Sequence, residues 1–167
     1  MSTGLRPPIV QVVGYKNSGK TRLVRELVAR FAADGLRVGT AKHHGHADDL
    51  DVPETDTALH RAAGACAVAI ASLGLSAVWE SRELSLAELV DRMPPCDLVI
   101  AEGFKTADYP KWVLLRDESD VPLIAQVTQV VGVSAWFDYA HPSLPVRPLA
   151  DYDGIAQAVR EAILRGR

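Results

Sequence analysis

The chain has 167 residues, 48% apolar and 23% charged, the balance of one globular domain with a full core rather than a disordered segment. A formal net charge of -3 without a Lys/Arg cluster excludes a nucleic-acid partner held by a basic surface, and no apolar run approaches membrane-spanning length. Met1 to Pro8 lacks the apolar stretch of a signal peptide, and Cys66 and Cys96 read as small buried hydrophobes rather than a disulfide or metal pair, so the expected compartment is a reducing cytoplasm.

Pro8-Ile9-Val10-Gln11-Val12-Val13 is short, apolar and β-branched, which predicts a buried strand. Leu23, Val24, Leu27, Val28 and Phe31 then recur at helical spacing, predicting a helix from about Ser18 to Ala33 that stops at Gly35. Between them, Gly14-Tyr15-Lys16-Asn17-Ser18-Gly19-Lys20-Thr21 fits G-x-x-x-x-G-K-[ST], the phosphate-binding P-loop. Strand, glycine loop and helix is the context that motif requires. The glycines let backbone N–H groups converge on phosphate oxygens at the positive end of the helix dipole. Gly14, Asn17, Ser18 and Gly19 shape that cradle, Lys20 would reach the β/γ-phosphates, and the Thr21 hydroxyl would ligate Mg²⁺.

Arg37 to Lys42 reads as a second strand, joined to the first through the helix in a β-α-β unit with a parallel sheet. The polar stretch from His43 to Pro53 follows; four of the five histidines fall between His43 and His60. Its candidate ligands, His43, His46, Asp49 and Asp51, with Lys42 before them, leave three readings open. They serve a phosphate, substrate or Mg²⁺-water site, a dedicated transition-metal site, or a solvated loop. A short helix over Thr55 to Ala63 and a hairpin, Ala67 to Ala71 against Ala77 to Glu80, come next.

Ser85-Leu86-Ala87-Glu88 has capping-box spacing and opens a helix that Pro94-Pro95 ends. Asp97-Leu98-Val99-Ile100-Ala101-Glu102-Gly103 is a buried strand with Glu102 at its carboxyl end, where an acid can orient the Mg²⁺ shell or an attacking water. Asp97, at the other end of the run, is the competing acid. Trp112 to Arg116, Leu123 to Val127 and Val130 to Ser134 read as further strands; Ile155, Val159 and Ile163 mark a last helix. The expected fold is a single P-loop nucleotide-binding domain over residues 1–167. It is a three-layer α/β fold with a largely parallel sheet and a β-hairpin extension. Ligands of such folds collect at the carboxyl ends of the strands, where Gly14 and Glu102 both fall. Asn17 is the chain's lone Asn, so the Asn-Lys-x-Asp guanine reader of regulatory GTPases is excluded. No glutamine follows the strand-end acid to orient water, so slow or partner-stimulated hydrolysis fits better than efficient unaided turnover.

The order of these motifs resembles the MobB family, molybdopterin-guanine dinucleotide biosynthesis protein B. The pieces are the P-loop, Gly39-Thr40-Ala41-Lys42-His43, and the His46…Asp49-x-Asp51-x-Pro53…Asp56 stretch. Arg61-Ala62-Ala63-Gly64-Ala65, Glu102-Gly103-Phe104-Lys105, and Pro110-Lys111 before a strand ending in Arg116-Asp117 complete them. The resemblance implies a GTP-binding accessory protein of molybdenum cofactor maturation, a homodimer using GTP and Mg²⁺. Its partners would be a MobA-type molybdopterin guanylyltransferase and molybdopterin intermediates. Lys105 and Lys111 look like candidates for an anionic ligand such as a pterin phosphate. Gln129, where relatives tend to carry an acid, would weaken the preference for GTP over ATP if it read the base. Two rival classes are a P-loop small-molecule kinase, which would need an Arg-rich lid, and a metallochaperone GTPase, which would need a denser ligand tract.

Overall fold

The computed structural model describes residues 6–45, 52 and 54–165. In chain order the elements are β1 (Ile9–Gly14), α1 (Lys20–Ala33), β2 (Val38–Lys42), α2 (Asp56–Ala62), β3 (Ala67–Ser72), β4 (Leu75–Glu80) and α3 (Leu86–Asp91). They continue with β5 (Leu98–Glu102), β6 (Lys111–Leu115), α4 (Leu123–Gln126), β7 (Val130–Ala135) and α5 (Tyr152–Arg165). The chain divides into two compact units, Met1–His43 with Leu86–Arg167, and His44–Ser85.

The larger unit is a five-stranded sheet in the order β2-β5-β1-β6-β7, parallel throughout. Val10, Val12, Leu98, Ile100, Trp112 and Leu114 point from it into one core with Leu23, Leu27 and Phe31 of α1 and Ile155 and Val159 of α5. Alternation along β1 sends Ile9, Gln11 and Val13 to the other face, among two smaller clusters that draw on α3, α4 and the loop after β5. Truncating fully buried Leu27 would cost about 2–5 kcal/mol. Helix α1 ends in a Schellman turn: Leu36 N–H reaches Phe31 O at 3.0 Å and Gly35 N–H reaches Ala32 O at 3.0 Å. Gly35 supplies the required left-handed backbone, with φ 83°.

The smaller unit holds α2 and the antiparallel hairpin β3-β4, paired from Ala67↔Glu80 to Ser72↔Leu75. Its turn is tighter than the sequence suggests, two residues with Gly74 at φ 89°. Thr55 caps α2, its hydroxyl accepting Ala58 N–H at 3.4 Å.

Two expectations are corrected. Leu123 to Val127 is not a strand: Leu123–Gln126 is a single helical turn entered through Pro122, itself in helical conformation. Leu123, Ile124 and Val127 share one cluster because i, i+1, i+4 spacing serves a helical turn as well as a short strand. Cys66 is exposed and Cys96 only half-buried, both free thiols, because the apolar run around Cys66 belongs to a hairpin with open faces.

Candidate functional site

The register Gly14↔Leu114 of β1 and β6 brings the strand end against its neighbour so tightly that only glycine fits. A Cβ at Gly14 would stand 2.4 Å from Ser18 Oγ and 2.9 Å from Leu114 O. The chain then turns through Asn17 at φ 64° and Gly19 at φ 94° before α1 begins at Lys20. Ser18 is buried inside the turn. Strand, loop and helix thus have the geometry of a phosphate cradle.

Lys20 Nζ donates to Tyr15 O at 2.6 Å, which curls the lysine back over the loop. Burial lowers its pKa, the nearby Lys105 and Lys42 charges act in the same direction, and Glu102 opposes them. Glu102 is the last residue of β5, one strand from β1, and is 8% exposed. The Thr21 hydroxyl lies 2.9 and 3.0 Å from its two carboxylate oxygens. Lys42 Nζ, at the end of β2, is 3.3 Å from Glu102 Oε1. Thr21 and Glu102 are hard oxygen donors side by side, the chemistry that suits a small divalent cation bridging to phosphate. Two lysines face this carboxylate, Lys42 by direct contact and Lys20 through space, an excess of positive charge that favours an anion.

Lys105 follows in the loop after β5, its Nζ 3.9 Å from the centroid of the Tyr15 ring. Burial lowers its pKa, with Asp120 opposing. His43 extends β2, its N–H donating to Glu102 O at 2.9 Å and its ring 5.2 Å from that of Phe104. His46, Asp49 and Asp51 lie outside the described residues. Among the described residues no three His, Cys, Asp or Glu side chains converge as metal ligands would.

Lys111 does not join this group. It opens β6 at the amino end of the sheet, fully buried, and donates to Ala107 O at 2.6 Å, Tyr109 O at 3.0 Å and Thr128 Oγ1 at 3.3 Å. Burial lowers its pKa and Asp108 opposes. With three oxygens around its ammonium it has no donor left for an outside anion. Gln129 stands at the same end: it precedes β7, its amide donates to Asp108 O at 3.0 Å, and its carbonyl accepts Lys111 N–H at 2.8 Å. That is a strand's length, about 16 Å, from the loop at Gly14, so it cannot read a base held there.

Four residues of the neighbourhood escaped the sequence reading. Gln11, buried in mid-β1, donates to Gly103 O at 3.1 Å and to Phe104 O, pinning the turn that carries Glu102 and Lys105. Tyr15 lends its carbonyl to Lys20 and its ring to Lys105. Asp120, buried just beyond β6, accepts Arg116 N–H at 2.8 Å. Trp136, the first residue after β7, donates its indole N–H to Ser18 O at 3.0 Å. The strand-end logic that finds Glu102 would also have found Trp136.

Fold and site define a P-loop-type α/β protein with a lysine-rich cluster at the carboxyl edge of its sheet. Residues 9–136 match the family Molybdopterin guanine dinucleotide synthesis protein B, MobB. The chain is 34% identical over 152 residues to the probable molybdopterin-guanine dinucleotide biosynthesis adapter protein of Bacillus subtilis, covering 85% of this chain and 86% of that one. The crystal structure of a MobB homologue from Bacillus stearothermophilus superposes with TM-score 0.72 at 34% identity, over 95% of this chain and 99% of that one. That of Bacillus subtilis MobB gives 0.78 at 29% identity, over 93% and 98%. This chain belongs to the MobB family.

Proposed function

We propose that this protein is a GTP-binding adapter of molybdopterin-guanine dinucleotide biosynthesis that binds Mg·GTP in the loop Gly14–Thr21 and assists a MobA-type guanylyltransferase. The observation that carries the reading is the Thr21 hydroxyl set on both oxygens of the strand-end Glu102, beside a lysine curled over a glycine-built loop. Thr21 and one Glu102 oxygen would hold Mg²⁺ directly or through water, while Lys20 and the loop amides take the phosphates. Lys42 and Lys105 add positive charge at the terminal-phosphate side. Hydrolysis is slow or partner-stimulated, because no glutamine follows the strand-end Glu102 to orient a water.

A cytoplasmic homodimer belongs to the same proposal. Ile70 and Leu75 stand exposed on one face of the hairpin, with Leu73 at its turn, an apolar surface that a second copy would cover. Among the described residues no helix is long and apolar enough to cross a membrane.

The experiment is to add the protein, with Mg·GTP, to a guanylyltransferase reaction on molybdopterin. Enhanced dinucleotide formation and nucleotide-dependent co-elution of the two proteins are expected, and Lys20→Ala should lose both. A protein that neither binds nor stimulates the transferase, yet phosphorylates a small molecule with ATP, would replace this reading by a kinase.

A further inference from the structure

The catalytic-side residues crowd one flank of the P-loop. Glu102 ends β5 and Lys42 ends β2, both on the same side of β1 in the order β2-β5-β1-β6-β7. A triphosphate whose metal end lies against Thr21 and Glu102 must direct its nucleoside the other way, over the carboxyl ends of β6 and β7. The first side chain past β7 is Trp136.

Its placement is unusual for so large an apolar group. Trp136 is 59% exposed, yet its indole N–H is fixed to Ser18 O at 3.0 Å, inside the P-loop itself. The same edge of the ring comes within 3.7 Å of where a Cβ on Gly19 would stand, and Leu149 Cδ2 within 3.5 Å. The indole is therefore anchored along one edge, against the residue before Lys20, while more than half of its surface is open. An exposed tryptophan without a ligand leaves apolar area in water; stacking a flat heteroaromatic ring on it removes that cost.

We infer that Trp136 is the platform on which the nucleotide's purine stacks, so that this chain holds its base by ring contact rather than by a carboxylate at Gln129. This rests on the nucleotide-binding reading above. Stacking serves guanine and adenine alike, because each base has a π-face. Preference for GTP over ATP should therefore be small, within about tenfold, the scale of one or two hydrogen bonds at the base edge.

The test compares three probes, Mg·GTP, Mg·ATP and Mg·tripolyphosphate, on wild type, Trp136→Ala and Trp136→Phe by calorimetry. Tripolyphosphate has no base. Trp136→Ala should weaken both nucleotides by roughly ten- to a hundredfold, the scale of one base stacked on an aromatic side chain, and leave tripolyphosphate unchanged. Trp136→Phe keeps a ring but loses the bond to Ser18, and should hold nucleotides within about fivefold of wild type. Protein fluorescence excited at the indole edge should fall on adding GTP to wild type, and not in Trp136→Phe. Equal losses for nucleotides and tripolyphosphate would make Trp136 a brace for the loop and overturn the proposal, as would unchanged GTP affinity in Trp136→Ala. Should the alanine variant fail to fold, GTP quenching that persists in Trp136→Phe overturns it as well. Wild type that binds none of the three probes would instead remove the nucleotide reading itself.

Discussion

The two ends of the sheet are built from similar residues and finish differently. At the amino end every charge is closed. Asp97 takes Arg37 N–H and its guanidinium at 2.8 to 3.0 Å, Lys111 has three oxygens, and Gln129 and Asp108 bond each other's loops. At the carboxyl end Lys20 is bonded to a single carbonyl, Lys42 pairs with a carboxylate already shared with Thr21, and Lys105 stands over the Tyr15 ring. Lys20 and Lys111 both have their pKa lowered by burial, so the shift does not tell a site from a scaffold. The number of partners does. A lysine with three oxygens holds loops together; a lysine with one is poised for a ligand.

That contrast can be broken most forcefully at Lys111. Lys111→Met should destabilise the fold by about 2–4 kcal/mol, since it strands Ala107 and Tyr109 carbonyls in a buried setting, while Mg·GTP affinity of the folded fraction stays within about threefold. Urea melts and calorimetry read the two quantities. A stable variant with lost GTP binding would place Lys111 in the site after all.

Glu102→Gln sharpens the opposite end. The amide keeps the shape and can still accept from Thr21, but it removes the charge facing Lys42 and the metal shell. Turnover should fall by about tenfold or more with affinity changed far less, because the charge matters most in the transition state. Single-turnover hydrolysis beside equilibrium binding checks this; a parallel fall in both would reduce Glu102 to a binding contact.

The smallest effect belongs to Asp97. Hydrogen bonds from the Arg37 side chain, then from its backbone, hold the Asp97 pKa down to about 2 from 3.8. A carboxyl lowered in the folded state stabilises above its unfolded pKa, and that contribution disappears as pH falls from 3.8 through about 2. Asp97→Asn should therefore lower the melting temperature slightly at pH 7, by an amount that shrinks as pH falls from 3.8 through about 2. As an exposed pair, its contribution should also shrink in high salt. A gap that persists in acid would mean the aspartate acts through packing instead.

Much of this architecture was legible because its signals are local. The strand-loop-helix around Gly14 to Thr21 is written in glycine spacing and helical periodicity, and Glu102 follows from the direction of one apolar strand. Register across the sheet is not local. Reading Leu123 to Val127 as a strand puts Gln129 just past a carboxyl end, beside a ligand, whereas the strand over Val130 to Ser134, legible in the same sequence, has Gln129 before its start and Trp136 past its end. With Leu123–Gln126 a helical turn, only the second placement stands. Lys111 misleads for a related reason. Lysine is almost never fully buried, and only the folded loop above β6 reveals the three oxygens that compensate it.

The most direct measurement is a calorimetric titration of Mg·GTP into wild type and Lys20→Ala. The open carboxyl end predicts one nucleotide per chain for wild type, with affinity reduced when Mg²⁺ is chelated. Lys20→Ala should bind roughly a hundredfold more weakly, the scale of a lost charge-assisted contact, with stability unchanged to within about 0.5 kcal/mol. Wild-type affinity in the variant, or binding indifferent to Mg²⁺, would contradict the assignment of Gly14–Thr21 and Glu102 as the nucleotide site.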